Sequence, residues 1–268
     1  MDNDDRQVGR ILGRREALKI LGAAGAAVVA GCAPGSAQPT STPGQAASGA
    51  TAGATALPAE ATSAADSVAM PACVVRPELT EGPYFVDERL NRSDIRSDPG
   101  TGAVEQGALL ALTFHVSRVG DGRCVPQEGA WVDIWHCNAL GAYSDVSDPG
   151  FDTSGQQFLR GYQVTDANGI AAFTTIYPGW YSGRTVHIHF KIRTGLEQGE
   201  SAFYEFTSQL FFDEALNDEV HAQQPYASKG PRNTLNSVDR IYDDRLLLAA
   251  SEAAQGYAAA FDIGLQLN

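Results

Sequence analysis

After residue 72 apolar and polar residues alternate in short runs broken by glycine and asparagine turns, and helical spacing is rare. Leu110, Leu112, Phe114 and Val116 recur at every second position, the period of a strand that buries one face. Residues 130–137 read the same way, with Val132, Ile134 and His136 on one face and Trp131, Asp133, Trp135 and Cys137 on the other. Residues 163–166 and 170–176 flank Asp166-Ala167-Asn168-Gly169, which predicts a hairpin. Val186, Ile188, Phe190 and Ile192 line one side of a further run and Thr185, His187, His189 and Lys191 the other, so a half-buried strand is expected there. Residues 208–212 supply another short strand, and Tyr257, Ala259, Phe261, Ile263 and Leu265 the last. The polar stretches 145–157 and 216–240 read as long loops, while helix-favouring residues leave 249–254 open between helix and strand. Short strands separated by turn signals imply an all-β fold, a single β-sandwich with long loops.

The N-terminal part is of a different kind. Residues 1–32 place Arg14-Arg15-Glu16-Ala17-Leu18-Lys19 before a short apolar run, the shape of an export signal, and that run is too short to span a bilayer. The paired arginines resemble a twin-arginine signal, and Val29-Ala30-Gly31-Cys32 resembles a lipobox, which would anchor the chain to a membrane through lipid on Cys32 and place it in the periplasm or at the cell surface. Residues 33–71, rich in Ala, Ser, Thr, Gly and Pro, cannot bury enough apolar surface to fold and read as a disordered tether. The folded domain is expected over 72–268. In an oxidising compartment Cys73, Cys124 and Cys137 allow one disulfide and one free thiol, with the pairing open.

A net charge of -13 and the lack of a basic stripe exclude nucleic acid as a partner. The candidate chemistry lies on one strand. His187 and His189, two of only 5 histidines, point the same way about 6.6 Å apart along the backbone, close enough for both imidazoles to reach one metal ion. Tyr181 stands six residues upstream of His187, and Tyr143 follows a glycine turn after the Trp135 strand. Phenolate and imidazole together favour a ferric ion, because a hard trivalent cation can ionise a phenol at neutral pH.

The stretches that hold these residues, Trp135-His136-Cys137-Asn138-Ala139-Leu140-Gly141-Ala142-Tyr143, Pro178-Gly179-Trp180-Tyr181 and Gly183-Arg184-Thr185-Val186-His187-Ile188-His189, occur in an order that resembles the intradiol ring-cleavage dioxygenases of the protocatechuate 3,4-dioxygenase kind. The resemblance implies a prealbumin-like β-sandwich, with Tyr143, Tyr181, His187 and His189 as ligands of a non-haem Fe(III). Tyr181 and His189 would be axial, and Tyr181 would give way to the substrate. It further implies a small aromatic diol and O2 as substrates, Arg184 and Gln209 as catalytic groups beside the bound ring, and Tyr84, in Glu81-Gly82-Pro83-Tyr84-Phe85, as a substrate contact along with Arg184. Trp135 and Trp180 are further candidate walls, and His115 and His136 are expected to be packing residues. The helical dimerisation segment of catechol 1,2-dioxygenases is missing ahead of the sandwich, so a homo-oligomer is left open, and Asn138 stands where an acidic residue is common. A rival of another class is a transthyretin-like sandwich on a surface lipoprotein that only binds. His187, His189, Arg184 and the turn before Tyr143 distinguish the enzyme, since a plain sandwich needs none of them.

Overall fold

The structure, a computed structural model, describes residues 74–120, 123–195 and 204–267. The expected export signal, lipobox and tether lie outside the described residues. The described residues all fall in one compact unit.

In chain order the elements are β1 (Leu109–Gly120), β2 (Arg123–Pro126), β3 (Trp131–Trp135), β4 (Ser147–Asp148), β5 (Phe151–Asp152), β6 (Arg160–Val164), β7 (Ile170–Ile176), β8 (His187–Thr194), β9 (Tyr204–Phe211), α1 (Glu214–His221), β10 (Ala250–Glu252) and β11 (Tyr257–Leu265). One sheet runs β10-β11-β1-β2, with β7 also paired to β1; the other runs β6-β3-β8-β9. Every pairing in them is antiparallel except β1 with β11, which is parallel. The alternation in the sequence sets which side of each strand is buried between the sheets. Leu110, Leu112, Phe114 and Val116 meet Val132, Ile134, Ile188, Phe190 and Ile192 in one core. Phe114 is its hub, with ring centroids 5.3 Å from Phe190, 6.2 Å from Phe173 and 6.0 Å from Phe261. Each such side chain, taken fully out of water, contributes about 1.5–3 kcal/mol.

The expectation that β8 is half-buried is corrected: all eight of its positions are buried. Its second face is covered by the chain over 79–90, held down by charge. Lys191 Nζ donates to Glu81 and, at 2.7 Å, to Glu205; Arg193 pairs with Asp133 at 2.8 Å and Asp87 at 3.2 Å. Phe85 fills the space between, 4.8 Å from Trp135 and 4.1 Å below Lys191 Nζ. Burial pushes the Asp133 carboxyl up to about 6 against the pull of Arg193.

The long-loop expectation for 216–240 is also corrected. Asp213 accepts from the amides of Ala215 and Leu216 and caps α1, whose Val220 joins the core. Its apolar stripe is only Leu216 and Val220, four apart, too little to show against the polar background. His221, at the end of α1, donates from Nε2 to Pro178 O at 3.0 Å. The segment 249–254 resolves in favour of strand, because β10 pairs with β11 and tertiary pairing overrides local preference. Within 145–157, β4 and β5 form a small hairpin. Cys124 is disulfide-bonded, and Cys137 is a buried free thiol among the described residues.

His136 bears out the packing expectation. It sits on the core face of β3's end, its Nδ1 donating to Cys137 O at 2.9 Å and its Nε2 accepting from Thr175 Oγ1 of the other sheet at 2.7 Å. Burial holds its pKa down to about 4. Since the folded value lies below the unfolded value of about 6.5, the contribution to stability is complete above pH 6.5 and is lost as pH falls toward 4, by roughly 3 kcal/mol. Urea unfolding at pH 7 and pH 4.5 should show this loss in the wild type and a clearly smaller one in His136→Gln. Equal losses would remove His136 as its source.

Candidate metal centre

Four side chains from three parts of the chain meet at the N-terminal end of β8. His187 and His189 come from the strand, and their register puts His187 opposite Phe211 and His189 between Trp135 and Gln209. Tyr181 comes from the turn before the strand and Tyr143 from the turn after β3. Gly141 and Gly179 let those two turns touch: a Cβ on Gly141, at φ +84, would strike Trp180 O, and one on Gly179 would strike the carbonyls of Asn138 and Ala139. Asn138 Oδ1 accepts from the amides of Leu140 and Ala142 and so fixes the turn before Tyr143.

His187 Nε2 is the centre of the cluster. Tyr143 Oη and Tyr181 Oη each lie 3.3 Å from it, and His189 Nε2 lies 3.0 Å away. His187 Nδ1 donates to Thr185 O at 2.6 Å, which leaves a lone pair on Nε2. His189 is held by stacking on Trp135, with centroids 5.0 Å apart and planes 9° from parallel. Burial keeps both imidazoles well below their usual pKa, with the Arg184 charge adding to the effect on His187 and the neighbouring His187 adding to it on His189, so both are neutral at pH 7. Burial likewise holds the Tyr143 phenol well above its usual value, reinforced by Tyr181.

These groups suit a metal ion. Two ligands at right angles and about 2.1 Å from a common ion are about 3 Å apart, as the two Nε2 atoms are. Three groups crowd the single lone pair of His187, more than hydrogen bonding can satisfy. Among the described residues no cluster of three or more His, Cys, Asp or Glu exists, so the remaining donors beside the two imidazoles are phenols. That donor set calls for a hard, highly charged cation able to displace the phenolic protons.

Arg184 and Gln209, which could have been a surface arginine and an exposed edge residue, are instead 6% and 0% exposed. Arg184 Nη2 donates to Gln209 Oε1 at 2.6 Å, and Gln209 Nε2 donates to Thr80 O at 2.9 Å. Burial acts to lower the Arg184 pKa, but Tyr181 and Asp239 more than offset it and keep the guanidinium charged. Tyr84 stacks on Tyr143 at 4.5 Å, meets Tyr181 edge-on at 5.9 Å and donates to Asp148 Oδ2 at 2.9 Å. All seven residues singled out in the sequence thus lie in or beside one cluster. Trp180 is only partly buried against the core, and His115 pairs with Asp262 away from the site, at 2.8 Å.

Sequence reasoning missed Asp239, Asn236 and Asp148. They lie in stretches read as loops, and no local pattern marks which loop polar group folds back onto a site. Trp135 was named only as a wall, although it is the platform under His189.

A family model described as Dioxygenase matches residues 80–266. This chain belongs to the intradiol ring-cleavage dioxygenases. The match takes in every residue of the cluster. Catechol 1,2-dioxygenase 2 of Acinetobacter lwoffii is 29% identical over 162 residues, 51% of this chain and 51% of that protein, so the chain spans about half the length of the curated relatives it matches. An intradiol ring-cleavage dioxygenase from Tetranychus urticae is 30% identical with a TM-score of 0.62, over 72% of this chain and 95% of that one. The dioxygenase domain of a dioxygenase carbohydrate-binding protein fusion from Streptomyces sp. SirexAA-E is 25% identical with a TM-score of 0.51, over 73% of this chain and 100% of that one.

Proposed function

We propose that this chain is a non-haem Fe(III) intradiol dioxygenase that inserts both atoms of O2 into a catechol and opens its ring between the two hydroxyl-bearing carbons. The observation that carries the proposal is the convergence of two phenols and a second neutral imidazole within 3.0–3.3 Å on His187 Nε2, beside a buried arginine. Membership of the dioxygenase family supports it over the binding-module alternative.

Tyr143, Tyr181, His187 and His189 would hold the iron, which when bound supplies a Lewis acid for the diol and an electron route between the diol and O2. The fully buried Tyr143 stays as a fixed ligand. Tyr181, half-buried and on a turn, would be the ligand that gives way to the diol, its Oη accepting a proton from a catechol hydroxyl. His187 keeps its Nε2 aimed by donating to Thr185 O. The Arg184 guanidinium, itself buried, stabilises negative charge as it grows on the ring. Tyr84 stacked on Tyr143 forms one aromatic wall against which a planar substrate can lie. All the electrons that reduce O2 come from the diol: the bond between its two hydroxyl-bearing aromatic carbons breaks and each becomes a carboxylate carbon, so no external reductant is required.

The test is reconstitution of the chain with ferric ion. A stoichiometric iron protein, coloured by tyrosinate-to-iron absorption that shifts when catechol is added without air and converting catechol to a muconate once air is admitted, is the expected result. A protein that stays colourless and inert would overturn the proposal.

A further inference from the structure

Arg184 holds its place through a carboxylate from 55 residues further along the chain. Asp239, in the segment between α1 and β10, is buried and entirely occupied: Oδ2 accepts from Arg184 Nε at 2.9 Å and from the Thr185 amide at 2.8 Å, and Oδ1 accepts from the Ile241 amide at 2.8 Å. The same segment grips the turn that carries Tyr181 at two more points. Asn236 Oδ1 accepts from Thr185 Oγ1 at 2.6 Å while Asn236 Nδ2 donates to Phe212 O, and Asn233 Nδ2 donates to Ser182 Oγ at 3.0 Å. Arg184 is therefore clamped from two sides, with Nε on Asp239 and Nη2 on Gln209, and Gln209 passes the chain of bonds to Thr80, four residues before Tyr84. These two bonds fix the plane of the guanidinium, and Nη1 is the nitrogen they leave over. The charge is near enough to bear on both Tyr143 and Tyr181.

We propose that Asp239 is the positioning residue of this site: it orients the Arg184 guanidinium toward the four-donor cluster and so sets the rate of ring opening, without helping to hold the metal. The proposal rests on the dioxygenase reading for its kinetic half and on the geometry alone for its positional half. A carboxylate suits the task because a single oxygen serves the arginine and the backbone amide that follows it, so the side chain and its own strand entry are registered together.

Asp239→Asn is nearly the same size. It keeps one oxygen for Arg184 and Thr185 but turns an NH2 toward the Ile241 amide, and it removes the charge opposite the guanidinium. In the full iron-loaded chain, kcat is expected to fall about 10-fold or more with KM for catechol within about 2-fold and with iron content and colour unchanged. Asp239→Glu, which keeps the charge at a different reach, should recover part of the rate. Combined with Arg184→Lys, Asp239→Asn should add little further loss, because both act through one group. The positional half has its own readout: the Arg184 Nε–H signal in nitrogen-15 NMR, slow to exchange in the wild type, should become fast in Asp239→Asn. An unaltered signal and unaltered kcat in a folded Asp239→Asn protein would overturn the proposal, as would full additivity with Arg184→Lys. Should the wild type fail to turn over catechol while the exchange behaviour changes as expected, the dioxygenase reading fails and the positional assignment stands.

Discussion

His187→Ala should give a folded protein that remains colourless in ferric ion and binds iron roughly 100-fold or more weakly than the wild type, since even outer partners of a metal ligand are worth 10- to 100-fold. The reasoning runs through the geometry of one atom. His187 Nε2 lies within 3.3 Å of a donor atom on each of the other three, so its loss takes away a common neighbour as well as one ligand. Tyr143 and Tyr181 would then lie against a void, and the burial that holds the Tyr143 phenol protonated would oppose any cation that lacked a full ligand set. The imidazole lies outside the apolar cluster centred on Phe114, so circular dichroism should match the wild type. Iron analysis and the visible spectrum after reconstitution check the outcome. A His187→Ala protein that kept stoichiometric iron and its colour would remove these four residues as the metal centre.

Arg184→Lys should do the reverse, with iron and colour retained and kcat lowered by about 10²–10³, the range for removing one preorganised charge donor. Lysine keeps the charge, which spares Asp239 the fate of an unpaired buried carboxylate; that would be the cost of Arg184→Ala, about 3–5 kcal/mol of stability. A single ammonium cannot replace a planar fork that engages Asp239 and Gln209 together at 2.9 and 2.6 Å. Steady-state kinetics with catechol, alongside the anaerobic spectral shift on catechol binding, separates loss of rate from loss of binding. Wild-type kcat in Arg184→Lys would confine Arg184 to a structural part.

Much of this arrangement was legible before the fold. Period-two alternation placed Phe114, Val132, Ile188, Phe190 and Phe261 correctly in one core, because a strand side chain has only two directions to take. The spacing of His187 and His189 put both on one face for the same reason. What the alternation could not reveal was the cover on that face: Lys191 read as lying on its polar side, yet Glu81 and Glu205 neutralise it from elsewhere in the chain. The helix α1 was missed because an Asp213 cap and two apolar residues are too small a signal. Asp239 was missed because a lone aspartate in a polar stretch looks the same whether it meets water or an arginine 55 residues back. Local order is written in neighbouring residues, and closure of a site is written in pairs that no window contains.

The position of β11 bears on how the protein is made. It lies between β10 and β1, bonded to both, and its parallel register with β1 runs from Tyr257 opposite Leu110 to Leu265 opposite Arg118. The last described strand in chain order therefore fills the interior of its sheet, and Phe114 lacks the Phe261 side of its packing until that strand is in place. A nascent chain cannot complete this sandwich while residues 257–265 are still in the ribosome, whatever its earlier strands have paired. Closure of this sheet depends on contacts distant in sequence and is correspondingly slow. Any ferric ion must be taken up after synthesis of the domain has ended.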